Sequence, residues 1–452
     1  MNSRALAASI IDKTLEQGGK SHELLREAFR TDPAPDLRER SFITALVHGT
    51  VGTVLTLDFY LAQVSKTPPA GLKPYLRSVL RMGLFQLLYM DRIPASAAVN
   101  ESVKLIRKRF GEGLTAYTNG VLRSAARKTD WIRPEGAAAL SLPQPLYDAL
   151  TALYGAERTR QIAACFLEAP PLWGRVNESR IRPEEAVRLL ERDGFSAVPH
   201  PLFAASLTLE RRREDPEETE RLPLEQTEAI RNGFVQLQDL SAQLAVLAAA
   251  PQPGMKVLDL CAAPGGKSLH AADLMKDRGE VIACDLTASK CRLIRENAER
   301  SGFSCLSVRQ ADATVFHPAF ENTFDLVIAD LPCSGLGTAS RKPEIKYRVT
   351  REKVEELAAL QRQILRNAMR YVKPGGKLLY STCTLTKEEN ADNALYIEKE
   401  LGFAPSALAL PAEIPGIRSG CHSLQLLPGD RPDRSFGYDG FFISLFAKEK
   451  NA

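Results

Sequence analysis

Asp259-Leu260-Cys261-Ala262-Ala263-Pro264-Gly265-Gly266-Lys267-Ser268 decides the fold of the C-terminal half of this chain. Residues 256–260 read as a strand, 266–275 as a helix, and the glycines between them as a tight turn. Glycine carries no Cβ, so a ligand can approach such a turn closely. Further strands are predicted at 280–284, 305–308, 326–329 and 377–381, with a last one at 440–447. Helices are predicted at 289–301 and 351–372, and Lys373-Pro374-Gly375-Gly376 as a turn into the next strand. Alternation of this kind is the pattern of a doubly wound α/β sheet.

Acids stand at the ends of the predicted strands. Asp285 lies 19 residues beyond Gly266, where a carboxylate can hold both hydroxyls of a ribose. Asp312 follows the third strand and Asp330 the fourth, so with Asp259 four acids face the crevice where such sheets bind ligands. The loop has neither the Gly-x-Gly-x-x-Gly nor the Walker spacing. S-adenosylmethionine is cationic at sulfur and has no phosphate, so an acid-rich rim suits it better than a dinucleotide.

Two more runs, Asp330-Leu331-Pro332-Cys333-Ser334-Gly335 and Ser381-Thr382-Cys383-Thr384, each place a cysteine at the end of a buried strand. A thiolate can add to C6 of a pyrimidine and make C5 nucleophilic, and a second group near the ring can help reverse the addition. The pair therefore points to pyrimidine C5 chemistry. Cys165, Cys284, Cys291 and Cys305 read instead as small core residues. No Cys-x-x-Cys pair and no cysteine–histidine cluster has zinc spacing, so no metal is expected.

Upstream, residues 1 to about 130 read as helices only. Between 72 and 88, apolar residues fall at 72, 76, 79/80, 84 and 87/88, the repeat of one helix face. Helices are also predicted at 95–109, after Pro94, and at 114–127, after Gly111-Glu112-Gly113. A proline-punctuated connector, 131–145, leads into a mixed region that reads as a small α+β module with short apolar runs at 172–176 and 206–209. The charged stretch 210–218 mixes both signs and reads as exposed linker.

At 452 residues the chain needs two or three domains. No apolar run approaches the roughly 18–20 residues that cross a bilayer, and the N-terminus reads as a first helix without a cleavage site. A cytoplasmic location and no membrane partner are expected. Net charge is +4, too weak to imply nucleic acid by itself. The basic excess is N-terminal: residues 1–150 hold 20 basic and 14 acidic side chains, the remainder 39 and 41. Its densest part, Lys104-Leu105-Ile106-Arg107-Lys108-Arg109, reads either as a solvated helix face or as a phosphate-binding surface.

Together, the glycine loop and the two cysteine runs resemble the motifs of RNA cytosine-5 methyltransferases of the RsmB/NOP family. More closely, they resemble the bacterial RsmB (Sun, Fmu) type that modifies small-subunit ribosomal RNA. Phe234-Val235-Gln236-Leu237-Gln238-Asp239 and Gly440-Phe441-Phe442 are similar to that family too, and Asn100-Glu101 and Asn119-Gly120-Val121-Leu122-Arg123 to its N-terminal NusB domain. The resemblance implies a multidomain chain. An all-α NusB-like RNA-binding bundle (1–140) and a small α+β module (146–235) would precede an α/β Rossmann-like S-adenosylmethionine-dependent methyltransferase domain (236–450). It implies that Cys383 attacks C6, that Cys333 promotes breakdown of the adduct, and that Asp330 hydrogen-bonds the cytosine. Cys261, Ala262, Ala263, Pro264, Gly265, Gly266 and Lys267, with Asp285, Asp312 and Asp330, would hold S-adenosylmethionine. Arg292 is a further candidate near the cofactor, equally readable as a solvated helix residue.

The implied substrate is 16S ribosomal RNA, free or partly assembled, and the expected state is a monomer. The 428–440 loop departs from the family's usual histidine- and glycine-containing link, which leaves its part in substrate choice open. A site in another ribosomal or transfer RNA remains open as an alternative, as does a non-catalytic NusB-like RNA-binding factor. A DNA cytosine-5 methyltransferase would attack with the cysteine of the Pro-Cys motif. A zinc deaminase would need a His-x-Glu and Pro-Cys-x-x-Cys pair that this chain lacks.

Overall fold

The apolar repeats upstream of residue 170 fold as helices alone. In the computed structural model, which describes residues 2–30, 35–212, 222–430 and 437–450, ten α-helices run from Ser3–Glu16 to Ala156–Cys165 among the described residues. They belong to the first of two compact units, Met1–Ala169 with Thr338–Val349. Asn2 caps the first helix by accepting from the Arg4 and Ala5 N–H groups, and Asp36 caps Leu37–Gly52 through Glu39 N–H. The predicted helix over 72–88 is Pro74–Tyr89, started by a proline whose missing N–H costs nothing there. It buries Leu76, Val79, Leu80 and Leu84 against Ile11, Leu46, Leu57 and Leu122. At Gly49 a Cβ would come within 2.0 Å of the Phe85 ring, so a larger residue there would displace that ring.

Among the described residues no single helix is long and apolar enough to cross a membrane. Leu37–Gly52 and Val54–Leu61 pass that test only as a pair bent by 74°, and Ile43, Leu46, Leu57 and Leu61 from them are core residues of the helical unit.

The short segment Thr338–Val349 is bound into this unit by polar groups. Glu344 accepts from Ser21 through its N–H (2.9 Å) and hydroxyl (2.7 Å). Lys346, fully buried, donates from Nζ to the Gly52 carbonyl at 2.6 Å, which the Tyr347 hydroxyl also meets at 3.1 Å.

The second unit, Pro170–Gly337 with Thr350–Ala452, holds two sheets. The smaller is antiparallel, in the order β2-β3-β1-β4, from β1 (Leu172–Val176), β2 (Phe195–His200), β3 (Phe203–Arg211) and β4 (Val235–Leu237). Helix Pro183–Arg192 packs beside it, so the α+β reading of this region holds, with β2 an added strand. Of the charged stretch 210–218, residues 213–218 lie outside the described residues.

The larger sheet carries the parallel strands β5 (Lys256–Asp259), β6 (Glu280–Asp285), β7 (Leu306–Gln310), β8 (Phe324–Asp330) and β9 (Val372–Thr382). Antiparallel strands β10 (Ala404–Pro405), β11 (Ile417–Ser419), β12 (Ser423–Leu426) and β13 (Phe441–Ala447) extend it. Their order is β11-β12-β13-β9-β8-β5-β6-β7, with β10 on β13, so the chain reverses direction across the sheet between β5 and β8. A crevice at the carboxyl ends of the strands follows from that reversal. The doubly wound reading therefore holds.

One expected boundary differs. The long helix ends at Tyr371 and β9 starts at once, so Lys373–Gly376, read above as a turn, lies within the strand. The pairing with β8 slips there: Phe324 faces Val372, but Leu326 faces Lys377. The extra residues are accommodated as a bulge, in which Gly375 (φ +77°) donates to Lys448 O and Gly376 O accepts from Lys448 N–H.

The small sheet is fastened to the larger one by a buried ion pair. Arg175 of β1 reaches Asp273, on helix Gly266–Leu274, at 2.7 Å, and donates to Gln238 Oε1 at 3.1 Å. Asp273 also accepts from the N–H groups of Glu178 and Ser179 and the Ser179 hydroxyl, so its charge is well solvated by donors.

Burial pushes Lys346 down to about 7 from its ordinary 10.5. Below pH 7 both folded and unfolded chains hold this proton and the full cost of burying the charge is present. Between about pH 7 and 10.5 the unfolded chain binds the extra proton, so stability rises with pH, at most by about 1.4 kcal/mol per unit. Lys346→Met should remove this rise and stabilise the protein most at low pH. Urea denaturation at pH 6 and pH 9 checks it, and equal pH dependence in variant and parent would refute it.

Candidate active site

Parallel pairing of β8 with β9 places Asp330 opposite Ser381. The Ser381 hydroxyl donates to Asp330 Oδ1 at 2.8 Å, and Lys267 Nζ donates to Oδ2 at 2.6 Å. Two loops leave these strand ends side by side: Leu331 N–H donates to Ser381 O, and Gly337 N–H to Cys383 O. This lacing brings Cys333 Sγ to 3.3 Å from Cys383 Sγ, with both side chains partly exposed.

The thiols differ in their surroundings. The hydrogen bond with Cys383, and then burial, push the Cys333 thiol well up, and the charges of Glu389 and Asp330 add to this. At Lys267 burial works against the ammonium, but the charge and hydrogen bond of Asp330, with Asp259 and Cys383, carry its pKa upward. The site thus holds a fixed cation, anchored on Asp330. Cys261, also near these acids, is pushed up chiefly by burial and remains a neutral thiol.

The glycine loop shapes the neighbouring crevice. Gly265 adopts φ +105°, a conformation that side-chain-bearing residues rarely take, and a Cβ there would meet Ile294 at 3.3 Å. Ala263 N–H donates to Asp285 Oδ2 (3.0 Å), Ala262 N–H to Cys284 O, and Asn297 to the Pro264 carbonyl. Behind the loop, Gln238 lies 3.4 Å from where a Cβ of Gly266 would be, so the Arg175–Gln238 contact also backs the turn.

Burial raises Asp259 to about 7, partly offset by its Ser268 hydrogen bond and the charge of Lys267. Its Oδ1 is buried without a hydrogen-bond partner, a costly state that a ligand bringing a donor or positive charge would relieve. With Asp285 and Asp330 nearby in the electrostatics of Asp259, the donor set suits a small cation-bearing nucleoside such as S-adenosylmethionine.

Several expected residues are thus in direct contact: Lys267 with Asp330, Asp285 with Ala263, and Cys333 with Cys383. Asp312 is exposed beyond β7, its Oδ1 engaged by the N–H and hydroxyl of Thr314, which hold its carboxyl below the usual range. Arg292 is solvent-exposed on helix Ala288–Ser301, facing Glu296 at 3.8 Å. Of the 428–440 loop, residues 431–436 lie outside the described residues.

A second layer escaped the sequence reading. Glu389, fully buried, accepts from Ser334, Gln361 and Thr386, while Tyr380 and Asn393 bond to Gln361. The adjacent acids Glu388-Glu389 gave no periodic or spacing signal to separate the buried one from its exposed neighbour.

Comparison with known proteins places these features in context. Residues 246–447 match the family model described as 16S rRNA methyltransferase RsmB/F, residues 1–127 the NusB family, and 142–214 a ferredoxin-like domain of RsmF/B-like methyltransferases. The chain is 33% identical to a probable ribosomal RNA small subunit methyltransferase B of Bacillus subtilis (strain 168), over 99% of this chain and 98% of that one. It is 33% identical to the ribosomal RNA small subunit methyltransferase B of Erwinia tasmaniensis, over 86% and 88% of the two chains. The crystal structure of PH0851 shares the fold with a TM-score of 0.81 at 24% identity, covering 99% of both chains.

Gly337 is the tightest backbone approach beside the thiols. A Cβ there would lie 1.9 Å from Gly440 O and 2.5 Å from its carbonyl carbon, so backbone rather than a side-chain tip must move. Gly337→Ala should destabilise the protein by about 1–3 kcal/mol, read from denaturant midpoints. An unchanged midpoint would contradict this packing.

Proposed function

Because the chain belongs to the RsmB/F family of 16S rRNA methyltransferases, a family of S-adenosylmethionine-dependent enzymes, we propose that it forms 5-methylcytidine through a Cys383–C6 covalent intermediate. The observation that carries this reading is the 3.3 Å approach of two thiols beside an Asp330–Lys267 pair, next to a glycine loop rimmed with acids.

Two thiolates at that distance repel, so the pair carries one negative charge at most. Because Cys333 is pushed up, the scheme assigns this charge to Cys383, with the Lys267 ammonium in the same site to stabilise it. Attack of Cys383 on C6 forms the C–S bond and moves the C5=C6 electron pair onto C5 and the ring, with Asp330 hydrogen-bonding the cytosine and steadying the developing charge. Residues 261–267, Asp285, Asp312 and Asp330 would hold S-adenosylmethionine, which would supply C5 with an electrophilic methyl group and leave as S-adenosylhomocysteine.

Once Cys383 is a thioether its charge is gone, and the thiol of Cys333 is freed to lose its proton to solvent. The Cys333 thiolate then removes the C5 proton, the C5=C6 bond re-forms, and the C6–S electrons return to Cys383. Each turnover releases one proton overall and restores the original charge of the pair.

The target cytidine has to leave its stack to reach this crevice. The helical bundle (1–140) and the small sheet module (146–235) grip folded RNA by phosphates and shape, and a monomer acts on free or partly assembled 16S rRNA. The basic run on helix Ala95–Phe110 is a modest contributor, since Lys104 pairs with Glu101, Arg107 with Glu112, and Arg109 lies over the Tyr75 ring.

The test combines two variants with a product assay. Cys383→Ala should abolish both methylation and adduct, whereas Cys333→Ala should accumulate a covalent protein–RNA complex on denaturing gels. Bisulfite reading of 16S rRNA from cells lacking the protein should show one cytosine losing its mark. Adduct accumulation in Cys383→Ala and none in Cys333→Ala would reverse the two roles and refute the scheme.

A further inference from the structure

We propose that Glu389 is a positioning residue for the release half of the reaction, its carboxylate holding the peptide of Cys333 where that thiol can serve the adduct on Cys383. The inference rests on the roles assigned to the two thiols above and extends them to a residue that does not touch the cytosine.

Glu389 is fully buried, and both of its oxygens are used. Oε1 accepts from the Ser334 N–H at 2.8 Å and from Gln361 Nε2 at 3.1 Å. Oε2 accepts from the Ser334 hydroxyl at 2.5 Å and from the Thr386 hydroxyl at 2.7 Å. Gln361 Nε2 also donates to the Pro332 carbonyl at 2.9 Å. The carbonyl before Cys333 and the N–H after it are therefore both tied to the Glu389–Gln361 pair, one on each side of the thiol.

The same group reaches the other loop. The Ser334 and Thr384 hydroxyls meet at 2.6 Å, so the residue after Cys333 is bonded to the residue after Cys383. Gln361 is itself oriented by Asn393, which donates to its Oε1 at 2.7 Å. A buried carboxylate is costly to maintain, and a neutral core would pack as well if only cohesion were needed. Four converging donors, three of them from the two thiol-bearing loops, place this charge where it fixes the distance between the sulfurs. Its field also helps keep Cys333 protonated until Cys383 has been consumed by the adduct.

Glu389→Gln keeps the side-chain size but replaces one acceptor oxygen by an N–H₂ donor facing the Ser334 groups. The measurement is the formation and decay of the covalent protein–RNA complex in single turnover, with the full-length chain and 16S rRNA as probe. Parent, Cys333→Ala, Glu389→Gln and Ser334→Ala are followed side by side. In Glu389→Gln the adduct should form within threefold of the parental rate yet persist at least tenfold longer, approaching Cys333→Ala. Ser334→Ala, which keeps the N–H to Oε1 contact, should prolong it about threefold and carries the test if Glu389→Gln does not fold.

A merely structural role would slow formation and decay alike. That result, or parental lifetimes in a folded variant, overturns the proposal. If Cys333→Ala yields no adduct either, the assignment of the thiols fails, and this inference falls with it.

Discussion

One register holds the site together: the parallel alignment of β8 and β9 that sets Asp330 against Ser381. A slip of one residue would turn Asp330 away from Lys267 and carry the two loops out of step. In the observed alignment Asp330 is bonded on one oxygen by its strand neighbour and on the other by the first turn of the glycine-loop helix. A single carboxylate thus joins the glycine loop, the fourth parallel strand and the fifth, and the two cysteines leave those strand ends with their sulfurs 3.3 Å apart.

Much of this was legible because it follows from local rules. A strand, a glycine turn and a helix are written in 256–274, and acids at strand ends are visible once the strands are counted. Bounds moved by a residue or two, as for β7, which runs Leu306–Gln310 and leaves Cys305 outside. The Lys373–Gly376 turn was misread because proline and glycine ordinarily stop a strand. Here a bulge, closed by the Gly375 and Gly376 bonds to Lys448, absorbs them without ending the pairing.

What was not legible depends on long-range partners. Glu389 looks like any surface acid until Ser334, 55 residues earlier in the chain, is seen donating to it. Lys346 lies in a charged, unpromising stretch, yet its ammonium is buried on the Gly52 carbonyl, 294 residues away. Arg175 and Asp273 carry no motif, and their pairing joins the small sheet to the helix that follows the glycine loop. The basic run at 104–109, readable as a solvated face or as a phosphate-binding surface, meets Glu101, Glu112 and the Tyr75 ring at the protein surface. Burial of a charge is decided by the partners the fold supplies, and a sequence window does not contain them.

The account turns on which sulfur bonds to the base. RNA carrying 5-fluorocytidine at the target has no removable proton at C5, so a methylated adduct cannot eliminate and stays attached to the protein. Protease digestion and mass spectrometry of the trapped complex then locate the bond. A nucleotide mass on the peptide containing Cys383, with the Cys333 peptide unmodified, is the predicted result. Attachment at Cys333, or no attachment in an enzyme that still methylates unsubstituted RNA, would contradict it.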